Sequence, residues 1–375
     1  MNWYKKAYKY GIENKKDIKT LVENLKISIS KMFNLSLPET EKKLIKIHEE
    51  RINAVPDLIK YPELKGMQER IIEENRGIMD SVSLTYGEIA ILRNYRYITN
   101  IVSPGPIYKG NDCTLVYFAD SSDGPIIGNN IDDWKERIWQ RIPKEPLIVK
   151  KNLKFWWGNV SAGIFYDEIP PEKFPLENRI FEVMEEHCEN LKAAVEFLIR
   201  YKFFWGGQNA MIIEKKTKEG VIIEKSSCRY GIRKMENGTL YTTAMSFADP
   251  KMKEYLAGRR MERIIKKGEK WNESIEAEYW DGCDKRYENL ARLVKEKSKN
   301  PSLKSIIEIL QNHSPFPDCI CLHGQGRTNI ELDHTNYTIA SIITLPMRKK
   351  QIIWTCSEKK FACQSEPVWR EIVEK

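Results

Sequence analysis

Residues 111–134 read "NDCTLVYFADSSDGPIIGNNIDDW". The run "CTLVYFAD" has the apolar and aromatic composition of a β-strand, and "PIIGNNID" has the features of a second strand. The four residues between them, "SSDG", are typical of a turn. We therefore predict a β-hairpin whose second strand returns Asp132 towards Cys113.

The position of Cys113 at the start of this hairpin suggests a nucleophile. A thiol needs a nearby base or a lowered pKa before it can attack a carbonyl group efficiently. If the chain is cut between Asp112 and Cys113, the new α-amine, with an unperturbed pKa of about 8, can be that base. Asp132 would then orient the amine from the adjacent strand. Two other interpretations stay open: Cys113 is a buried core thiol, or Asp132 forms an ordinary Asx turn.

The composition argues against several classes of protein. The chain has 375 residues, 41% hydrophobic and 30% charged, and its net charge of +8 is spread over mixed-charge segments. Because no basic stripe stands out, we expect no nucleic-acid partner. The start "MNWYKKAYKYG" does not have the pattern of a signal peptide, and no apolar run reaches the ~20 residues of a membrane span. We expect no membrane partner and a cytoplasmic protein whose eight cysteines are mostly free thiols.

The chain divides into a helical part and a strand-rich part. Residues 1–100 carry apolar residues at helical spacing, and we expect Ser83 to cap the last of these helices. The stretch "SPGPIYKGND" (103–112) then breaks the pattern. Beyond it come strands, a helix, an antiparallel meander, further helices over 250–312 and two or three strands, beginning with "PDCICLHG". We predict an α+β fold with mostly antiparallel sheets, divided into 1–112 and 113–375.

Common motifs for nucleotide and metal chemistry are absent from the sequence. The sequence has no phosphate-binding glycine loop, no HExxH, no GxGxxG and no GxSxG motif. A zinc site is an alternative in "HSPFPDCICLHG", which gathers His313, Cys319, Cys321 and His323, with His334, Cys356 and Cys363 further on. However, only one residue lies between Cys319 and Cys321, whereas paired zinc ligands are typically separated by two to four residues. We therefore predict buried thiols, no metal and no cofactor.

Several fragments together resemble a known family. Cys113-Thr114 followed by Gly128-Asn129-Asn130-Ile131-Asp132 is similar to the pattern C-T…G-x-N-x-D. The stretch "NVSAGIFYDE" (159–168) resembles an N-x-x-G-L strand, and "YTIASIITLPMRKKQIIWTC" (337–356) resembles a T-x-A-S strand pair preceded by C-x-H at Cys321 and His323. The chain resembles the penicillin acyltransferase-like (isopenicillin-N acyltransferase-like) family of N-terminal nucleophile cysteine hydrolases, relatives of the choloylglycine hydrolases.

This resemblance implies a four-layer αββα sandwich, a helical pro-region over 1–112 and self-cleavage before Cys113. It implies that Cys113 is the nucleophile, that its α-amine is the base, that Asp132 orients the amine and that Asn130 supports the turn. Two departures stand out. Asp112 replaces the glycine of the penicillin acyltransferases, and the expected oxyanion-hole Asn and following His fall on Met245 and Ser246. Asn209, another amide or a backbone N–H would have to replace the missing donor.

The predicted function is a self-processing amidohydrolase or acyltransferase that works through a thioester. Its partner would be a small-molecule amide or acyl thioester, and a homo-oligomer is possible. Asn129 stands where choloylglycine hydrolases have Arg, which does not support bile-salt specificity. Two side predictions are that Trp156 and Trp157 pack in the core and that Arg327 faces solvent. The alternative function is a non-catalytic relative used for binding or assembly.

Overall fold

The computed structural model describes residues 2–27, 29–30, 35–53, 61–94, 113–134, 147–149, 153–161, 179–201, 208–226, 229–244, 246–267, 273–316, 318–323, 336–357 and 360–374. The chain forms two compact units. One comprises Met1–Ile107 and Ile169–Val183, and the other comprises Tyr108–Glu168 and Met184–Lys375. The predicted boundary before Cys113 follows residues 95–112, which are outside the described residues.

The first unit is helical, as the sequence predicts for its described part. Its helices are α1 (Trp3–Glu13), α2 (Lys15–Ile27), α3 (Leu37–Asn53), α4 (Met67–Val82) and α5 (Tyr86–Asn94), with a 3-10 turn at Pro62–Leu64. Helices α1, α2, α4 and α5 bury their apolar stripes in one core formed by Ala7, Ile18, Ile78, Val82 and Ile89. Burial of these stripes, spaced by the helical period, holds the helices together.

The predicted N-cap at Ser83 is wrong. Ser83 has a φ of 64° and ends α4, where its N–H donates to the Met79 carbonyl at 2.8 Å. Thr85 has the capping role instead: its Oγ1 accepts from Glu88 N at 3.1 Å, while Glu88 Oε2 accepts from Thr85 N at 2.8 Å. This reciprocal pair is a capping box, which satisfies two otherwise unpaired backbone donors.

The second part of the chain alternates strands and helices. The strands are β1 (Thr114–Phe118), β2 (Ile126–Trp134), β3 (Leu147–Val149), β4 (Phe155–Ser161), β5 (Gln208–Glu214), β6 (Gly220–Lys225), β7 (Tyr230–Lys234), β8 (Thr239–Thr243), β9 (Asn336–Leu345), β10 (Lys350–Thr355) and β11 (Val368–Glu374). The helices are α6 (Arg179–His187), α7 (Leu191–Arg200), α8 (Pro250–Lys267), α9 (Glu273–Lys297) and α10 (Leu303–Leu310), with 3-10 turns at Pro346–Arg348 and Ala362–Gln364.

The described strands form two sheets. One has the order β3-β11-β10-β9-β2-β1-β8, and the other has the order β4-β5-β6-β7. All described pairings are antiparallel except that of β3 with β11, which is parallel. The predicted α+β class with mostly antiparallel sheets is therefore confirmed.

The hairpin predicted from residues 111–134 is present as β1 and β2. Thr114 lies opposite Asn130, and Phe118 lies opposite Ile126. In the turn, Gly124 has a φ of +81° and donates its N–H to the Ser121 carbonyl at 3.0 Å. A positive φ costs glycine little because it has no Cβ, which explains why this turn contains glycine.

Both faces of β1 are covered. Val116 and Phe118 pack in a core that includes residues of α9 and α10, while Leu115 and Tyr117 pack against residues of β4, β5 and β6. Alternate side chains of a strand point to opposite faces, so these two cores lie on opposite sides of the seven-stranded sheet. In the four-stranded sheet, α7 packs on β5 and β6, and Lys225 Nζ donates to the Ile199 carbonyl at 2.7 Å.

The strand predicted at "PDCICLHG" is wrong for its described part, residues 318–323. These residues form bends, and only His323 makes a bridge, opposite Tyr337. The physical reason is that side chains bind the backbone here. The guanidinium of Arg286 donates to the carbonyls of Cys319 and Ile320, so these acceptors are unavailable to a sheet ladder.

A helix that crosses a membrane must be both long and predominantly apolar. The longest described helix, α9, has 25 residues but carries charges along its length. None of the described helices is both long and apolar enough to cross a membrane.

Candidate active site

Cys113 lies directly before β1, which is next to the edge strand β8 in the seven-stranded sheet. Its carbonyl accepts from Ala244 N at 2.8 Å, which continues the pairing of β1 with β8. Its half-buried side chain packs against the core between the two sheets, as does that of Trp156. The Cys113 Sγ lies 3.8 Å from the backbone carbonyl oxygen of Asp132. The structure therefore brings Cys113 and Asp132 together across the hairpin.

The Asp132 side chain is fully buried. The pairing of β2 with β9 is irregular between Ile131 and Asp132, where β9 contains one extra residue. This bulge places Asp132 opposite Thr338, whose Oγ1 donates to Asp132 Oδ1 at 2.6 Å. Bulges re-aim side chains out of the regular alternation, and here the result is a carboxylate held at a defined position.

Arg286, on α9, is the ionic partner of Asp132. Its Nη2 donates to Asp132 Oδ2 at 2.7 Å, and both side chains are at most 1% exposed. The guanidinium also donates to the carbonyls of Cys319 at 3.0 Å and Ile320 at 2.7 Å. A buried carboxylate is tolerated as an anion only when it is paired and hydrogen-bonded, and Arg286 supplies this compensation. Nothing in the spacing of the sequence points to Arg286, which is 154 residues from Asp132.

Asn130 faces the helices rather than the hairpin turn. Its Nδ2 donates to the carbonyls of Leu310 at 2.8 Å and Ile320 at 3.3 Å, and its Oδ1 accepts from Ser341 Oγ at 2.7 Å. The side chain is completely buried. Asn130 thus fastens β2 to the end of α10 and to residues 318–323, the segment that Arg286 also binds.

Asn209, on β5, holds the segment after β8. Its Nδ2 lies 3.0 Å from Thr242 Oγ1, 3.0 Å from the Thr243 carbonyl and 2.7 Å from the Ser246 carbonyl. An amide nitrogen has two hydrogens, so both are used by these three acceptors. In the described conformation Asn209 therefore positions residues 242–246, and its role as an oxyanion donor stays a prediction.

Some buried polar atoms near Cys113 have no hydrogen-bond partner among the described residues. They belong to β1, β2, β5 and β8 and are Thr114 Oγ1, Asn129 Oδ1, Gln208 Oε1, Asn209 Oδ1 and Thr243 Oγ1. Buried polar atoms nearly always have a partner, so such a group in the strands around a candidate nucleophile calls for water or a polar ligand.

The other predicted residues are placed as follows. Trp156 contacts the core between the sheets, whereas Trp157 is 38% exposed. Ser246, the predicted position of the missing His, donates through Oγ to Asp284 at 2.8 Å. Asp112, Met245 and Arg327 lie outside the described residues.

A second group of reactive side chains lies near the C-terminal strands. His313, Cys321, His323 and Cys363 bring their ligand atoms within 4.8 Å of one another. The prediction of buried thiols is accurate for Cys319, Cys321 and Cys356, while Cys363 is half-buried. Cys363 is hard to assign to this group from the sequence, because it lies 42 residues after Cys321.

No protein-family model matches the chain, and no curated protein matches it. Among solved structures, a mutant conjugated bile acid hydrolase from Clostridium perfringens is similar at a TM-score of 0.36 and 9% identity, over 70% of this chain and 97% of that chain. A variant of the same hydrolase is similar at a TM-score of 0.28 and 9% identity, over 71% of this chain and 91% of that chain.

Proposed function

We propose that the chain is a self-processing cysteine amidohydrolase or acyltransferase with Cys113 as its nucleophile. One observation carries the proposal: the half-buried Cys113 thiol lies 3.8 Å from the backbone carbonyl of Asp132, the residue whose carboxylate is held by Arg286. A catalytic carboxylate must be fixed by its surroundings, and a fully buried, paired Asp132 meets that need. The unpartnered polar atoms in the neighbouring strands leave hydrogen-bonding capacity for water or a polar ligand.

The first step would be cleavage of the Asp112–Cys113 peptide bond. The Cys113 thiol attacks the Asp112 carbonyl carbon, the C–N bond breaks, and a thioester forms while the amine of Cys113 takes the proton. Water then hydrolyses the thioester, which leaves a carboxylate on Asp112 and a free α-amine on Cys113. Residues 1–112 become the helical pro-region and residues 113–375 the catalytic core in this proposal.

Turnover would use the same sulfur. The free α-amine removes the Sγ proton, the thiolate attacks the amide carbonyl of the substrate, and the protonated amine returns the proton to the leaving nitrogen. Water completes hydrolysis of the thioester, or an amine or thiol completes transfer. Asp132 stabilises and orients the ammonium form of the Cys113 amine, and Asn130 and Arg286 hold the segments that fix Asp132.

The arrangement of layers supports the αββα sandwich that the sequence resemblance implies. Helices α9 and α10 share a core with one face of the seven-stranded sheet, and the four-stranded sheet covers the other face. Helix α7 packs on the four-stranded sheet. In this proposal the layers of the second unit follow the order helix, sheet, sheet and helix.

The second candidate is a non-catalytic relative used for binding or assembly. Asn209 favours it, because both hydrogens of its amide are committed to residues 242–246. Loss of one oxyanion donor costs roughly 10²–10³ in rate, so a protein without a replacement would turn over slowly. Self-processing separates the two candidates, since a binding protein has no need for a free α-amine at Cys113.

Intact-mass analysis of the purified full chain tests the proposal. Dividing the 44.0-kDa chain in proportion to residue number, we expect pieces of about 13 and 31 kDa, the larger beginning at Cys113. Cys113→Ala should stay whole, while the matched variant Cys188→Ala, which removes a buried thiol elsewhere, should process like the wild type. An intact wild-type chain in which Cys113 does not react with iodoacetamide would overturn the enzymatic function and favour the binding protein.

A further inference from the structure

The second group of reactive side chains, His313, Cys321, His323 and Cys363, has the composition of a metal site. We propose that these four residues bind a structural zinc ion. Two imidazoles and two thiolates are a ligand set that zinc takes in tetrahedral structural sites. This inference is independent of the proposed catalytic function.

Four of the six separations between the ligand atoms are close to those of a tetrahedral zinc site, and all six are within 4.8 Å. The Nε2 atoms of His313 and His323 are 3.2 Å apart, and His323 Nε2 lies 3.6 Å from Cys321 Sγ. Cys363 Sγ lies 3.1 Å from His323 Nε2 and 3.4 Å from His313 Nε2. With bonds of about 2.0–2.1 Å to nitrogen and about 2.3 Å to sulfur, a tetrahedron requires separations of about 3.3 Å between nitrogens and about 3.5 Å between nitrogen and sulfur.

Hydrogen bonding alone does not account for this arrangement. His323 Nε2 faces three groups at once: His313 Nε2, Cys321 Sγ and Cys363 Sγ. A ring nitrogen carries either one hydrogen or one lone pair, so it can make one good hydrogen bond along its own axis. Four lone pairs that converge on one point are instead what a cation requires.

Three separate segments deliver the ligands. His313 follows the end of α10, Cys321 and His323 lie in the bends of residues 318–323, and Cys363 lies in the 3-10 turn Ala362–Gln364. Cys321 Sγ and His323 Nε2 are brought to 3.6 Å of each other within this bent segment. The N–H groups of Ile320 and Cys321 both donate to the Asn312 carbonyl, at 3.0 and 2.9 Å, which fixes the bend.

Neighbouring side chains orient the ligands. The ring of Phe361 stacks on His323 with centroids 3.9 Å apart and an interplanar angle of 3°. Leu322, between two ligands, donates its N–H to Thr338 Oγ1 at 2.8 Å and accepts from Thr338 N at 2.9 Å. Metal ligands are commonly held by such outer contacts, which fix ring orientation before the ion binds.

The site is of the structural rather than the catalytic type. Four protein ligands complete a tetrahedron and leave no position for water or substrate, as in structural zinc sites. Bound zinc would tie the segment after α10 to the bends at 318–323 and to the turn before β11. Such cross-links between distant segments contribute directly to folding stability, because the unfolded chain has no preformed site.

Metal analysis of the full-length protein, purified from zinc-supplemented medium, tests the proposal. We expect about one zinc per chain, and we expect a zinc chelator to lower the melting temperature. His313→Ala is the least disruptive ligand variant because His313 is exposed, and it should lose most of the zinc. Cys363→Ser should lose it as well. Cys356→Ser, a buried thiol outside the group, is the matched control and should keep the metal.

A second measurement guards against variants that fail to fold. Cobalt(II) added to the metal-free wild type should give the intense visible bands of tetrahedral cobalt and a near-ultraviolet thiolate band. The same titration on folded His313→Ala should give a weaker spectrum. Less than a tenth of an equivalent of zinc together with no tetrahedral cobalt spectrum would overturn the proposal. A Cys321–Cys363 disulfide, seen as an intact mass lower by two hydrogens, would overturn it too.

Discussion

The guanidinium of Arg286 and the carboxylate of Asp132 form an ion pair with 2.7 Å between Nη2 and Oδ2, and both side chains are almost completely buried. Two charges removed from water in this way are costly unless each satisfies the other. The same guanidinium holds the carbonyls of Cys319 and Ile320, so the pair joins the candidate active site to the segment that carries two proposed zinc ligands.

Removal of Arg286 should be severely destabilising. Arg286→Met leaves the buried Asp132 carboxylate without its counter-ion, and we expect a loss of about 3–5 kcal/mol in the free energy of unfolding, measured by chemical denaturation. The double variant Arg286→Met/Asp132→Leu should recover much of that loss, because it leaves no unpaired charge. Lys285→Met is the matched control, since Lys285 pairs with Asp281 at the surface, where ion pairs contribute little. Equal effects for Arg286→Met and Lys285→Met would contradict the argument.

Thr338 is predicted to matter through its hydroxyl group. Thr338→Val removes the hydrogen bond to Asp132 Oδ1 and the acceptor of Leu322 N, so it should cost about 1–3 kcal/mol in the free energy of unfolding. It should also slow the appearance of the chain that begins at Cys113, followed by mass spectrometry. Thr338→Ser keeps the hydroxyl and should remain close to the wild type in both measurements. If the Val and Ser variants process at the same rate, Thr338 does not position Asp132.

The sequence predicts the β1–β2 hairpin because its information is local. The turn residues and the two apolar runs lie within residues 111–134, and they place Asp132 beside Cys113 without help from distant segments. The helices of the first unit are predictable for the same reason, since their apolar spacing is set within each helix. Ser83 and Thr85 are two residues apart, and both are residue types that cap helices. Only Thr85 has a glutamate, Glu88, three residues later, which completes the capping box.

The partners of the site are not local, and sequence patterns did not reveal them. Arg286 joins Asp132 across 154 residues, and Cys363 joins His323 across 40. The apolar run at 319–322 resembles a strand, but the backbone groups of residues 319–321 bind Arg286, Asn130 and Asn312, and only Leu322 binds the neighbouring strand β9. Tertiary hydrogen bonds overrule a local β preference here, and the resulting bend is what gathers the proposed zinc ligands.

His48 is predicted to make the protein less stable in acid. Burial, together with the charges of Arg51 and Arg93, lowers the pKa of His48 from 6.5 to about 4. The ring nitrogens lie 3.1 Å from Asn75 Nδ2 and 3.0 Å from Asn94 Nδ2, so amide donors face both sides of the ring. Between the two pKa values the unfolded state binds more protons than the folded state, and stability therefore rises with pH.

The expected loss from this one residue is about 3 kcal/mol in the free energy of unfolding as the pH falls from 7 to 4, at 1.36 kcal/mol per pKa unit. Denaturation curves of the wild type and His48→Gln across this range provide the measurement. The variant starts less stable at pH 7, and its curve should be flatter because it lacks the titrating ring. Parallel curves for the two proteins would show that His48 is not the origin of the acid sensitivity.

Gly128 is predicted to set the distance between β2 and α10. A Cβ added at Gly128 would lie 3.1 Å from Ile306 Cγ2 and 3.1 Å from Leu310 Cδ1, closer than carbon atoms normally approach. Gly128→Val should therefore cost about 1–3 kcal/mol in the free energy of unfolding, because the helix or its side chains must shift. Combined with Ile306→Ala, which opens space for the new methyl groups, the loss should be smaller than the sum of the two single losses.

Gly258→Ala is the control, since its added Cβ meets no atom within 4 Å and a helical alanine should stabilise by about 0.5–1 kcal/mol. Strict additivity of Gly128→Val and Ile306→Ala would show that the two side chains do not compete for the same space.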